Sequence, residues 1–184
     1  MWYDAATDEI IGVVGVHVDD ARMTGSAKWF ATVWPQEKEL YEWGEWEEMQ
    51  FRFTGVTHKG EIGKWASLDM EHYISHCKPV ELENINHLIE PHQNHLERAK
   101  RKLNKQGFAI FRAVAGSLQW CATQGRPEIL GNLTAIQKGL SAPTVGDLQL
   151  AAETMQYLID NPSTRVMMYP VDLEKLVIVV FCDS

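Results

Sequence analysis

The feature that most constrains this chain is an apolar run, IIGVVGVHV at residues 10–18, that breaks on two adjacent carboxylates, Asp19 and Asp20. Val13, Val14, Val16 and Val18 read as a buried β-strand, and Gly25 and Ser26 mark the next turn. Burying an unpaired charge is costly, so two acids beside such a strand belong at solvent or against a cation. A hairpin tip meets that demand and brings both carboxylates close enough to share divalent metals. Two metals roughly 3.5–4 Å apart activate an attacking oxygen and stabilise a leaving one. Asp-Asp after a strand is also ordinary turn chemistry, so the pair needs support from the rest of the chain.

A length of 184 residues suits one domain or two small ones with a real core. No apolar run approaches a membrane span, and the start MWYDAATDE lacks the basic and apolar regions of a signal peptide. Cys77, Cys121 and Cys182 are far apart and odd in number, which fits buried thiols in a reducing, intracellular compartment better than a disulfide framework. Charge is uneven. Residues 1–95 hold 7 Lys/Arg against 17 Asp/Glu, and residues 96–184 hold 10 against 8. Nucleic-acid affinity rests largely on neutralising phosphates, so weak or no binding of nucleic acid is expected of this chain by itself. The one basic cluster is Arg98, Lys100, Arg101, Lys102 and Lys105, readable as a solvated helix face or as a phosphate-tracking strip.

Helical spacing joins Trp29, Phe30 and Val33, and Pro35 ends or kinks that helix. Residues 45–59 alternate around Phe51 and Phe53 and read as one strand, with residues 62–68 returning after Gly60. A helix begins at Asp69 and runs to residue 76, with the aspartate as its N-cap. Residues 78–95 read as loop and residues 96–104 as helix. Beyond them, Val114, Leu118 and Cys121, then Leu133 and Ile136, then Leu148, Met155 and Leu158 define three helices broken at Pro127, Pro143 and Pro162. Residues 175–182, KLVIVVFC, read as an apolar strand ending on Asp183.

Taken in order, these segments resemble the reverse transcriptase of copia-type retrotransposons at its junction with RNase H. VGVHVDD at residues 14–20 with Gly25 resembles the polymerase motif YVDD…G, with His17 where tyrosine is usual. FRFTGV at residues 51–56 is similar to the FLG-I primer-grip strand, with Thr54 in place of leucine. WASLDMEHYI at residues 65–74 resembles the L-x-Q-x-x-Y-I segment that begins the thumb. FRAVAGSLQW at residues 111–120 and RPEI at residues 126–129 match Y/F-R-x-x-x-G-S-L-x-W/Y and R-P-D-I, and VVFCDS at residues 179–184 resembles the first RNase H strand.

The resemblance implies an α+β fold. Residues 1–68 would be the C-terminal part of a polymerase palm, 69–165 a helical thumb or connection, and 166–184 the first strand of a truncated RNase H. It implies RNA-directed DNA polymerase ancestry, with Asp19 and Asp20 as catalytic metal ligands for a two-Mg²⁺ site and Asp183 as an RNase H ligand. His17, Phe53 and Gly55 would face the primer, with a packed strand histidine as the alternative for His17. Arg98, Lys100, Arg101 and Lys102 would bind nucleic acid if the basic cluster is the phosphate-tracking strip. Partners in the intact polyprotein would be an RNA template/DNA primer hybrid and deoxynucleotides, with no membrane. The family's other catalytic aspartate and its fingers lie upstream of the hairpin, so a polyprotein fragment inactive by itself is expected. The alternative is a non-enzymatic, domesticated or degenerate protein that keeps the helical half as an interaction module.

Three further readings are open. Arg112 and Arg126 form either structural ion pairs or backbone contacts, since arginine suits both. His72 and His76 at i, i+4, with Cys77, His87, His92 and His95, offer zinc-ligand chemistry at irregular spacing or simply a histidine-rich surface. The tryptophans at 29, 34, 43, 46 and 65 are expected in the core, because the glutamates beside them would repel phosphate.

Overall fold

A computed structural model describes residues 1–18, 20–40, 42 and 44–170. Asp19, Trp43, Cys182, Asp183 and the apolar strand expected at residues 175–182 lie outside the described residues. The fold is mixed α+β with antiparallel sheets. The chain divides into two compact units, Met1–Thr54 and the residues from Gly55 onward.

The first unit is built on the expected hairpin. β1 (Trp2–Tyr3) pairs with β2 (Ile10–His17), which pairs antiparallel with β3 (Asp20–Gly25). The ladder runs from Gly12 opposite Gly25 to His17 opposite Asp20, so it closes at Asp20. Strand alternation gives the hairpin two unlike faces. Gly12, Val14, Met23 and Gly25 share one, and Trp29 packs on it, fully buried. Gly15, His17, Asp20 and Arg22 share the other.

Trp29 sits on α1 (Ala27–Thr32), capped by the Ser26 hydroxyl, which accepts from the Trp29 amide at 3.2 Å. α2 (Trp34–Leu40) follows after a break at Val33. Pro35 therefore stands in the first turn of α2, where its missing N–H is no loss. β4 (Gln50–Phe53) ends the unit. The single strand expected over residues 45–59 is in fact two. Thr54 and Gly55, with φ of 50° and 81°, reverse the chain before β5 (Val56–Glu61).

In the second unit β5, β6 (Trp65–Asp69) and β7 (Arg165–Met168) form an antiparallel sheet. The helix expected over residues 69–76 is the single turn α3 (Glu71–Ile74). Asp69 is not its N-cap residue, although its carboxylate accepts from the Glu71 amide at 3.3 Å. The expected helix at residues 96–104 is only a 3₁₀ turn, Arg98–Lys100. Beyond it the backbone is extended, with Leu103 N donating to Pro143 O and Val145 N to Arg101 O. Only Leu103 of this stretch needs the core, so no apolar stripe holds a helix.

α4 (Lys105–Gln124) starts earlier than its apolar spacing suggests, because the Asn104 side chain accepts from the Gln106 and Gly107 amides, both at 3.0 Å. Pro127 opens a 3₁₀ turn into α5 (Leu130–Lys138), and Thr144 with Asp147 forms a capping box for α6 (Val145–Asp160). The core joins Phe111, Leu118, Leu133, Ile136, Leu148, Met155 and Leu158, with Val114 packed at its margin, as the helical spacing requires.

Candidate functional site

Asp20 is exposed at the end of β3, directly across the ladder from His17, which is also exposed. The hairpin expected from the apolar run is present, and the described acid of the pair reaches solvent at its mouth. Asp19, the residue with the strongest claim as a ligand, lies outside the described residues. Val18, at the turn, has φ of 56°, a left-handed conformation that a β-branched residue adopts only when a tight reversal demands it.

Phe53, from the segment that resembles a primer grip, stands against this same face. Its ring lies edge-on to that of His17, centroids 6.3 Å apart, and 5.4 Å from the Arg22 guanidinium. Two segments separated by some thirty residues of sequence thus meet at the hairpin mouth. Between them runs a groove of about 360 Å³, lined in part by Asp20 and Arg22 from β3, Glu45, Trp46 and Glu47 from the intervening chain, and Phe53 from β4. The motifs in the sequence do not single out Arg22. The signal was there in strand alternation, which puts Arg22 on the face of Asp20.

The remaining candidates lie in the second unit. A Cβ on Gly55 would lie 4.0 Å from the Trp120 indole nitrogen, and its positive φ gives glycine a purely local use there. The basic residues form no helix face. Arg98 donates to Leu82 O at 3.3 Å, Arg101 donates to Leu96 O at 3.1 Å and Asn94 O at 3.4 Å, and Lys100 pairs with Glu97 at 2.9 Å. Both guanidiniums of the cluster therefore tie down the chain around residues 82–96. Lys102 is held by its backbone, with its amide on Gln93 Oε1 at 2.7 Å.

Arg126 is completely buried, with Nε on Glu128 Oε1 at 2.5 Å and its guanidinium 6.0 Å from the Tyr157 ring. It is a structural ion pair in the core. Arg112 is exposed and stacks over Phe108 at 5.8 Å. Of the tryptophans, Trp29 is core, whereas Trp46 is 38% exposed at the groove.

His72 and His76 bring their rings to 4.7 Å, and His76 Nδ1 lies 2.7 Å from the His72 carbonyl oxygen. Among the described residues no three His, Cys, Asp or Glu side chains come together as a metal-binding set. Cys121 is buried, and loss of solvation pushes its thiol up to about 12, so it remains a neutral core group. No described helix is long and apolar enough to cross a membrane. Comparison of the chain with protein-family models, with curated proteins and with solved structures found no match.

Proposed function

We propose that the chain is a palm-and-thumb segment of a retroelement reverse transcriptase, and that its β2–β3 hairpin belongs to a metal-dependent nucleotidyl-transfer centre. The observation that carries this reading is the meeting of His17 and Phe53 at the mouth of the Asp-Asp hairpin. The resemblance assigns both residues to the primer end, and it contains no information about their distance. Asp20 is an exposed oxygen donor at that mouth, as a hard cation such as Mg²⁺ requires, and Asp19 precedes it in sequence.

Bound Mg²⁺ would activate the primer 3′-hydroxyl and stabilise charge on the α-phosphate. The chain's own residues orient the parts. Asp20 would hold a cation at the ladder's end, while His17 and Phe53 would form a wall against which a primer terminus rests. The packed helices of the second unit suit the thumb-like role, and would equally serve an interaction module without enzymatic activity.

Mn²⁺ titration followed by backbone amide signals tests the site directly. Broadening should begin at His17 and Asp20 and disappear in Asp19→Asn/Asp20→Asn. Broadening centred on the glutamates of residues 37–48, or unchanged in the double variant, contradicts the assignment.

A further inference from the structure

The face of the hairpin that carries Asp20 also carries a cation without a carboxylate. Arg22 follows Asp20 by two positions, so both side chains leave the same face of β3. Its cross-strand neighbour is Gly15, which brings no side chain to pair with it. The guanidinium carbon stands 5.4 Å from the centre of the Phe53 ring. Among the described residues the Arg22 side chain makes no hydrogen bond and no ion pair, although Asp20, Glu45 and Glu47 line the same groove.

An arginine stacked on an aromatic ring keeps its edge N–H donors in one plane, and those donors match two oxygens of a phosphate. Stacking also lowers the entropy lost when that contact forms. Asp20, Glu45 and Glu47 line the groove against two cations, Arg22 and Arg52. A lone anion thus meets a net negative lining and gains little there, while a phosphate carried by a strand adds contacts along its length. That favours a phosphodiester backbone over a small diffusing anion.

We infer that Arg22, steadied by Phe53, binds a backbone phosphate of the nucleic-acid strand whose end lies at the Asp20 hairpin. The inference rests on the nucleotidyl-transfer reading and adds a binding residue to it. Arg22 acts on strand affinity, whereas Asp19 and Asp20 act on the metal.

The test is fluorescence anisotropy of the full chain with a labelled RNA–DNA hybrid across a salt series from low ionic strength, with a nucleoside triphosphate as a second ligand. Arg22→Gln should weaken hybrid binding about tenfold at low salt, the scale of one charge-assisted contact. It should also flatten the slope of log affinity against log salt by about one. Arg22→Lys should keep the slope and lose only part of the affinity, and Phe53→Leu should fall between the two. Lys28→Gln, the same charge change in the same unit, should leave the slope alone. Triphosphate binding should not respond to Arg22.

A hybrid that does not bind the wild-type chain, an Arg22→Gln variant with unchanged affinity and slope, or an equal effect from Lys28→Gln overturns the inference. So does a response confined to the triphosphate. None of these outcomes touches the Mn²⁺ result at Asp19 and Asp20, which judges the nucleotidyl-transfer reading separately.

Discussion

Trp29 is seated on two glycines. A Cβ on Gly12 would fall 2.5 Å from its indole ring and one on Gly25 would fall 2.7 Å from it, and these two residues face each other across the β2–β3 ladder. Gly25 looks in sequence like a turn residue, and in the fold it is half of a slot for an aromatic ring. Such a pairing is invisible to spacing, because the two glycines are thirteen positions apart and nothing local marks them as partners. Gly12→Ala should therefore destabilise the first unit by about 1–3 kcal/mol, the usual cost of forcing a group into a filled site, as read by chemical denaturation. A neutral substitution would mean that Trp29 moves freely aside. Cys121 gives a second expectation at this scale. Its thiol is raised from 9.0 to about 12 by burial, so between those values the unfolded chain gives up the proton first. Stability conferred by the neutral thiol is full below pH 9 and falls as pH rises toward 12. Cys121→Ala should show a shallower alkaline decline than the wild type, and identical profiles would contradict this.

Elements with a strong apolar period were legible before the fold was known. The helices α5 and α6 fall where their leucines and isoleucines require, and the β2–β3 hairpin forms where its valines predict a strand. That strand is not the buried one expected: Val13 and Val14 are half-buried, Val16 and Val18 are exposed, and only Gly12 under Trp29 is buried. Elements defined by backbone hydrogen bonds were not. β7 has no apolar alternation, since Arg165, Met167 and Met168 are exposed, and it forms because its backbone extends the sheet beside β6. The stretch before α4 looks helical by composition, yet Leu88 O accepts from Asn104 N at 2.8 Å and Pro143 O accepts from Leu103 N at 2.9 Å, which hold it extended. Asn104 joins these facts, since its side chain caps α4 and its amide donates to His87 O at 2.7 Å. Asn104→Ala should cost about 1–2 kcal/mol and loosen the 3₁₀ turn Ile85–Leu88 together with α4. Amide hydrogen exchange would show both segments opening together. Loss of protection in α4 alone would contradict the link. Phe111→Ala, in the centre of the same core, should cost about 3–5 kcal/mol.

At the scale of the molecule, the first unit carries 4 Lys/Arg against 11 Asp/Glu, while every member of the basic cluster belongs to the second. The charge contrast was plain in the sequence, but its structural use was not. Arg98 and Arg101 look like candidates for phosphate and spend donors on backbone carbonyls. Buried Arg126 places its Nε on Glu128 and leaves both Nη groups without a hydrogen-bond partner among the described residues. Arg22 keeps its side-chain donors for the groove, whereas Lys28 of the same acidic unit pairs with Asp4. The site was legible only as a hairpin bearing acids, because the approach of Phe53 to His17 depends on how the strands pack.

The central claim is that Asp19 and Asp20 belong to a nucleotidyl-transfer centre, and primer extension tests it most directly. The resemblance places a third carboxylate and the nucleotide-binding fingers on a segment outside these 184 residues. The informative protein is thus the full chain fused behind that segment from an active copia-type polymerase. On a primed RNA template with Mg²⁺, the fusion should extend the primer. Asp19→Asn in the same fusion should abolish extension while leaving its thermal unfolding unchanged. Extension that survives Asp19→Asn, or a folded fusion that extends nothing, would contradict the account.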